Sequence, residues 1–203
     1  MEDDGPELTD GVVLLRPLGL DDVDAYLEGE DDELARWLHG GLRDRENVED
    51  HVRRAMFDWL RGGPVFSFAI READGDRLAG TLDVHPDHPD LAQGQADLSY
   101  GLLRSARGRG YASRAVRLGC AFLAARAGIR EAVITVDPRN AASVEVAHRC
   151  GFRWSRRLPA VAGGFDRYVR DVGELLDLRE VRDVREVRDV RDRGPGDRSG
   201  SRP

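Results

Sequence analysis

Residues 107–112, Arg-Gly-Arg-Gly-Tyr-Ala, constrain this chain more than any other segment, because two glycines there join two strongly patterned stretches. Upstream, residues 97–103 read as a strand. Downstream, residues 111–127 carry an amphipathic helical pattern. Glycine lets a backbone turn tightly and approach a ligand closely. A helix that begins at such a turn presents unpaired N–H groups and the positive end of its dipole. The corner therefore suits a phosphate or pyrophosphate, with two arginines expected to add charge and forked hydrogen bonds. The alternative is a plain strand-to-helix turn with solvated arginines.

Patterning on either side gives the organisation. Residues 12–15 read as a buried strand ended by Arg16-Pro17, and Asp21 and Asp22 are placed to cap a short helix through Leu27. An acidic stretch, 28–33, leads to Trp37 and Leu38 before Gly40-Gly41. Asn47 is expected to cap a helix with Val48, Val52, Ala55, Met56, Trp59 and Leu60 on one side, stopped by Gly62-Gly63-Pro64. Residues 65–70 and 78–84 read as strands joined by a turn at Asp74-Gly75. Residues 95–103 form the next strand. Beyond the helix from Tyr111, residues 132–136 are β-branched, Asn140 caps a helix over 141–150, and 152–158 with 168–178 close the pattern as two strands. Antiparallel strands followed by a β-α-β unit predict a mixed α/β sheet covered by helices.

With 203 residues and 40% hydrophobic content, one core is expected. The chain divides at 1–10, an N-terminal extension, 11–178, the folded domain, and 179–203, a charged low-complexity tail. In the tail, Arg-Glu-Val-Arg-Asp-Val repeats place like charges at i,i+3 and let the valines drift around a helix, so disorder is expected. No apolar stretch reaches membrane-spanning length, and the acidic start lacks a signal-peptide layout. Cys120 and Cys150 have no disulfide-framework spacing, which fits a reduced, cytoplasmic protein. All 31 basic residues are arginine, a bias that fits a high-GC bacterial genome. A net charge of −7 argues against nonspecific nucleic-acid binding. His85, Asp87, His88 and Asp90 read as turn residues rather than metal ligands, and no metal is expected.

From residue 11 to about 178 the sequence resembles the GNAT superfamily of acyl-CoA N-acyltransferases, nearest to its RimJ/RimL-type branch. The resemblance rests on Leu14-Leu15-Arg16-Pro17-Leu18, Leu78-Ala79-Gly80-Thr81, Ala96-Asp97-Leu98-Ser99-Tyr100, the 107–112 motif, Asn140-Ala141-Ala142-Ser143 and Cys150-Gly151-Phe152. It implies a mixed, mostly antiparallel central sheet flanked by helices. It also implies acetyl-CoA, or another short acyl-CoA, as co-substrate. Leu102, Leu103 and Arg104 would contact the pantetheine arm. Arg107, Gly108, Arg109, Gly110, Tyr111 and Ala112 would hold the pyrophosphate through backbone amides, and Asn140 would bond the cofactor arm. The acceptor would be a primary amine, such as a protein N-terminal amine, and the molecule a monomer or homodimer. Many members carry an acidic tyrosine four residues before the Gly151 position; here it is Ala147. Ser143 matches the serine thought to replace it in the RimL-like branch. Tyr100-Gly101 departs from the Tyr-Trp often seen there, which implies a changed acceptor pocket.

Acyl transfer from a thioester requires a neutral amine and a proton for the departing sulfur. Alternation puts Asp97 and Ser99 on one strand face, and Thr81, Asp83 and His85 on one face of the preceding strand. If those strands pair, Asp83 and Asp97 become neighbours, and mutual repulsion raises one pKa. Asp97, then Asp83, are the candidate bases. Two other readings stand beside this one. Residues 108–113 approximate the G-x-G-x-x-G of a dinucleotide- or methyl-donor-binding Rossmann unit, but Ser113 replaces the third glycine and too few β-α units follow. A noncatalytic acyl-CoA-binding regulator is the other.

Overall fold

The computed structural model describes residues 5–38, 40–86, 88–159 and 164–173, and the backbone of 182–183. Its strands are β1 (Leu8–Thr9), β2 (Val13–Pro17), β3 (Phe66–Glu72), β4 (Leu78–His85), β5 (Gln95–Leu102), β6 (Glu131–Val136), β7 (Arg153–Leu158), β8 (Phe165–Asp171) and β9 (Arg182–Asp183). Its helices are α1 (Val23–Gly29), α2 (Asp32–Leu38), α3 (Arg45–Arg61), α4 (Tyr111–Ala124) and α5 (Ala141–Arg149). The strands form one sheet in the order β7-β8-β6-β5-β4-β3-β2-β1-β9. Every neighbouring pair is antiparallel except β5 and β6, which the crossover through α4 makes parallel. This is the expected mixed sheet flanked by helices. β1 lies in the segment read as an extension and β9 in the charged tail, whose remaining residues lie outside those described.

The two sheet faces are covered differently. α4 packs over β4 and β5, where Gly119 lets the helix sit on Leu82 and Leu98. In this helix Phe122 meets Phe66, Phe68 and Trp59 edge-on, with ring centroids between 5.1 and 6.0 Å apart. On the other face Val23 and Tyr26 of α1, Leu34 of α2 and Val48, Val52 and Ala55 of α3 pack with Ala69, Leu78 and Leu103. Among the described residues no helix is long and apolar enough to cross a membrane.

Several local expectations need correction. The cap of α3 is Asp44, whose carboxylate accepts from the Asn47 amide at 2.8 Å; Asn47 lies inside the first turn. Met56 and Leu60 face solvent, because the apolar stripe of α3 runs through Val48, Val52 and Ala55. The last strand begins at Phe165, three residues earlier than periodicity indicated, and residues 174–178 lie outside those described. Asp22 sits at a helix start as expected, but fully buried, accepting from the Gly19 amide and paired with Arg16 and Arg71.

Gly80 fixes how closely β4 and β5 approach. A Cβ there would stand 2.1 Å from the Gly101 carbonyl oxygen and 2.9 Å from Leu102 Cα, both backbone atoms that cannot swing aside. Gly80→Ala should therefore destabilise the fold by about 3 kcal/mol or more, as overpacking against rigid neighbours does. Urea unfolding at unchanged m-value measures it, and a loss below about 1 kcal/mol would show that β5 can shift.

Candidate active site

β5 and β6 stay together only briefly. Their parallel register covers Gln95–Glu131, Ala96–Ala132 and Asp97–Val133, and then stops. Past Asp97 the β6-facing edge of β5 has no ladder partner among the described residues, although its other edge remains paired with β4 through Leu102. A cleft of about 340 Å³ opens at this parting. β5 contributes Tyr100, Gly101 and Leu102; α5 contributes Asn140, Ala142, Ser143 and Val146; α2 contributes Leu34, Trp37 and Leu38. Arg107, Gly108 and residues 110–113, the turn into α4, form another wall, and Glu33, Glu145 and Arg149 complete the lining.

That turn has the geometry its glycines foretell. Gly108 and Gly110 have φ of +76° and +77°, and Gly110 caps α4 in the left-handed region. The first amides of α4 thus face the cleft without a side-chain cap. The arginine side chains behave differently from expectation. Arg107 is bound by Asp31 at 2.6 and 2.9 Å, Glu33 at 2.7 Å and the Leu102 carbonyl at 3.1 Å. Arg109 lies 2.9 Å from Glu72, which also accepts from Tyr111 and Arg77. Acidic neighbours thus neutralise both guanidiniums, and what the loop presents is backbone. The hydrogen bonds from Arg107 in turn hold the Asp31 carboxyl below its ordinary range.

Asn140 caps α5, its Oδ1 accepting from the Ser143 amide at 3.1 Å, which leaves its NH2 as the donor available in the cleft. Ser143 lines the cleft from the first turn of α5, and its carbonyl accepts from the Tyr100 hydroxyl at 3.4 Å. Burial pushes the Tyr100 phenol well above its usual range, so it stays protonated. Ala147 is fully buried one turn beyond Ser143. Leu103 and Arg104 do not line the cleft: Leu103 is a core residue and Arg104 is exposed. Cleft residues that were not singled out from sequence as site residues include Glu33, Leu34, Leu38, Glu145, Val146 and Arg149. A side chain at Gly101 would meet Leu34 at 2.4 Å, so α2 lies directly on β5 and takes the space of the expected aromatic residue.

The two carboxylates stand apart from this group. Asp83 and Asp97 lie on the sheet face of Gly101, opposite to that of Tyr100, and neither lines the cleft; the register sets Asp83 against Ser99 and His85 against Asp97. The expected repulsion between them is corrected accordingly. Burial raises the Asp97 carboxyl, while the charges of His85, His88 and Arg167 and a 3.5 Å hydrogen bond from Thr135 pull it back. Asp83 keeps a buried Oδ1 with no partner among the described residues. Near it stands His51, another residue that sequence reasoning missed; burial lowers its pKa, against the Asp83 charge. No metal-binding group appears among the described residues.

Residues 13–153 match the acetyltransferase (GNAT) domain model. The chain belongs to the GNAT acetyltransferase family. Among curated proteins none matches it. Solved structures share the fold of this GNAT chain at low identity. A proposed ribosomal-protein-serine acetyltransferase from Vibrio cholerae is 18% identical with a TM-score of 0.69, covering 84% of this chain and 99% of its own. The Salmonella typhimurium acetyl transferase that modifies the N-terminal serine of L7/L12 is 23% identical with a TM-score of 0.66, over 79% and 95%. RimL in complex with coenzyme A is 23% identical with a TM-score of 0.67, over 79% and 94%. The residues of the cleft fit such a cofactor: among the described residues a strand edge without a ladder partner, helix amides without a side-chain cap and the Asn140 NH2 are all donors or acceptors for amides and phosphates.

The raised Asp97 pKa has a sign that can be tested. Between the ordinary value of 3.8 and the raised folded value, the folded chain keeps a proton that the unfolded chain has lost. Stability therefore falls as pH rises through that window. Asp97→Asn should remove this fall and stabilise the protein at neutral pH. Unfolding free energies across pH 3–7 check this, and parallel profiles for the two proteins would show that Asp97 is not destabilised by burial.

Proposed function

We propose that this chain transfers an acetyl group from acetyl-CoA to a primary amine, and that the amine is a protein N-terminus. The observation that carries this is the parting of β5 from β6 beside the Gly108–Gly110 turn. It leaves an extended strand edge for the amide-bearing arm of CoA and helix amides for its pyrophosphate. The modification of an N-terminal serine by the Salmonella relative supports the acceptor class. Chemistry favours it too, since an α-amino group with pKa of about 7.7–8.0 is far easier to deprotonate than a lysine near 10.4.

In the reaction a C–N bond forms as the thioester C–S bond breaks, so one proton leaves the amine and one reaches sulfur. We assign the second proton to Ser143, the hydroxyl that the first turn of α5 holds on the cleft wall. Ala147 supplies only a methyl group one turn on. The first proton goes, through water, to a carboxylate on the far face of β5. Asp97 is the assigned acceptor because burial makes it more basic than an ordinary aspartate. Asp83 is the second such carboxylate, on β4 opposite Ser99, two register positions along from Asp97. Leu102 and the loop residues bind the cofactor through their backbones.

Ser143→Ala should lower kcat by roughly tenfold to a thousandfold with little change in acyl-CoA affinity, as for a group that acts in the transition state. CoA-thiol release from acetyl-CoA and an N-terminal peptide is the assay. Unchanged kcat where chemistry limits turnover would make solvent the acid. Asp97→Asn should flatten the rising limb of the pH–rate profile; the same effect from Asp83→Asn alone would move the role there. No thiol release with any amine would reduce the chain to an acyl-CoA binder.

The cofactor half has its own test. Gly110→Val forces a β-branched residue to φ +77° in open space, a strain of roughly 1–3 kcal/mol that the fold can carry. Calorimetry should show at least tenfold weaker acyl-CoA binding with the fold retained, and unchanged affinity would place the cofactor elsewhere.

A further inference from the structure

The far edge of the sheet has the opposite charge to the rest of the molecule. β7 is its terminal strand, and five of its six residues are exposed. Together β7 and β8 hold five arginines, Arg153, Arg156, Arg157, Arg167 and Arg170, against two aspartates, Asp166 and Asp171, in a chain of net charge −7. Arg157 is matched by Asp166 through two 2.8 Å hydrogen bonds. Arg153 and Arg156 have no ion pair among the described residues.

Register decides which way they face. Arg156 is directly opposite Arg167, and Arg153 opposite Val169. Arg167 in turn is opposite Thr135, which donates to Asp97. Arg153 and Arg156 therefore share the sheet face of Thr135 and Asp97, away from α5. Like charges directly across a ladder are unfavourable. Here the conflict is sharpened because Arg167 is only 4% exposed, donates to the Asp90 carbonyl, and keeps a buried Nε without a partner among the described residues. Beside this pair Phe165 is 43% exposed. An anion bound at Arg156 and Arg153 resolves the conflict.

Resting on the acetyl-transfer reading above, we propose that Arg153 and Arg156 dock an acidic segment of the same polypeptide whose N-terminal amine is acetylated. The outer edge of β7, unpaired among the described residues, offers N–H and C=O groups to a peptide backbone. A nucleic acid would gain no such pairing and would be repelled by the net charge. From β5 to β7 the sheet spans three strand spacings, about 14 Å, or about four residues of extended chain. The acidic side chains recognised are therefore expected near positions 4–6 of the acceptor.

Peptides sharing one N-terminal sequence and carrying Glu, Gln or Arg at positions 4–6 test this in the full-length protein. The Glu peptide should show about tenfold higher kcat/KM than the Gln peptide, and the preference should shrink with added salt. The Arg153→Glu/Arg156→Glu double variant should invert the order while leaving kcat/KM for a small amine unchanged. The milder Arg153→Gln/Arg156→Gln variant should abolish it. Equal kcat/KM for all three peptides in the unaltered protein would overturn the proposal. So would displacement of the Glu peptide by an RNA oligonucleotide, or sedimentation showing that the substitutions break a dimer instead. Fluorescence anisotropy of labelled peptides reads docking without turnover. Glu-selective binding lost in the variants, with no acetylation of any amine, would fault the acetyl-transfer reading and not this one.

Discussion

A parallel pair that stops after three residues is the constraint on which the rest of this molecule depends. A longer ladder would satisfy both edges of β5 and close the sheet. Because β5 and β6 separate, the backbone of residues 98–102 keeps one set of polar groups open, and buried polar groups demand partners. The separation also makes room for the first turn of α5 and for the turn into α4. The cleft, its hydrophobic flank from α2 and its donor groups all follow from that one divergence. Gly80 and Gly101 work with it, since both let neighbours come closer to β5 than any side chain would allow.

The 107–112 loop is held in place by arginines that are paired with acidic neighbours. Arg107 ties it to Asp31 and Glu33 at the start of α2, and Arg109 ties it to Glu72 at the end of β3. Such half-exposed pairs add little stability individually. Their value is positional: they hold two glycines, which alone would leave the loop floppy, in one conformation. The Arg107 clasp also joins the loop to the helix that lines the other side of the cleft. Binding on one side therefore bears on the geometry of the other.

Much of this was legible in the sequence, and for identifiable reasons. The Gly-Arg-Gly turn, the Asp74-Gly75 hairpin and the Asn140 cap are set by local backbone chemistry, which neighbouring residues declare. Alternation placed Asp83 and Asp97 on one sheet face correctly. Register was not legible: a shift of two residues, which keeps the face, replaces Asp83 by His85 opposite Asp97, and no local signal fixes it. The fates of Arg107 and Arg109 were hidden for a similar reason. Their partners lie 76, 74 and 37 positions away, and only the folded sheet brings them near. His51 gave no signal at all, since a half-buried histidine on a polar helix face looks like any other.

The clasp at Arg107 has one more consequence, through the kind of cation it uses. Every fixed positive side chain in this protein is a guanidinium; the sequence contains no lysine. Guanidiniums stay protonated at any physiological pH and do not attack thioesters. A chain that holds an activated acyl group beside its own basic residues thus exposes no ε-amine to it. Electrostatic fixation and chemical inertness are met by the same side chain, and self-acylation at lysine is closed off by composition alone.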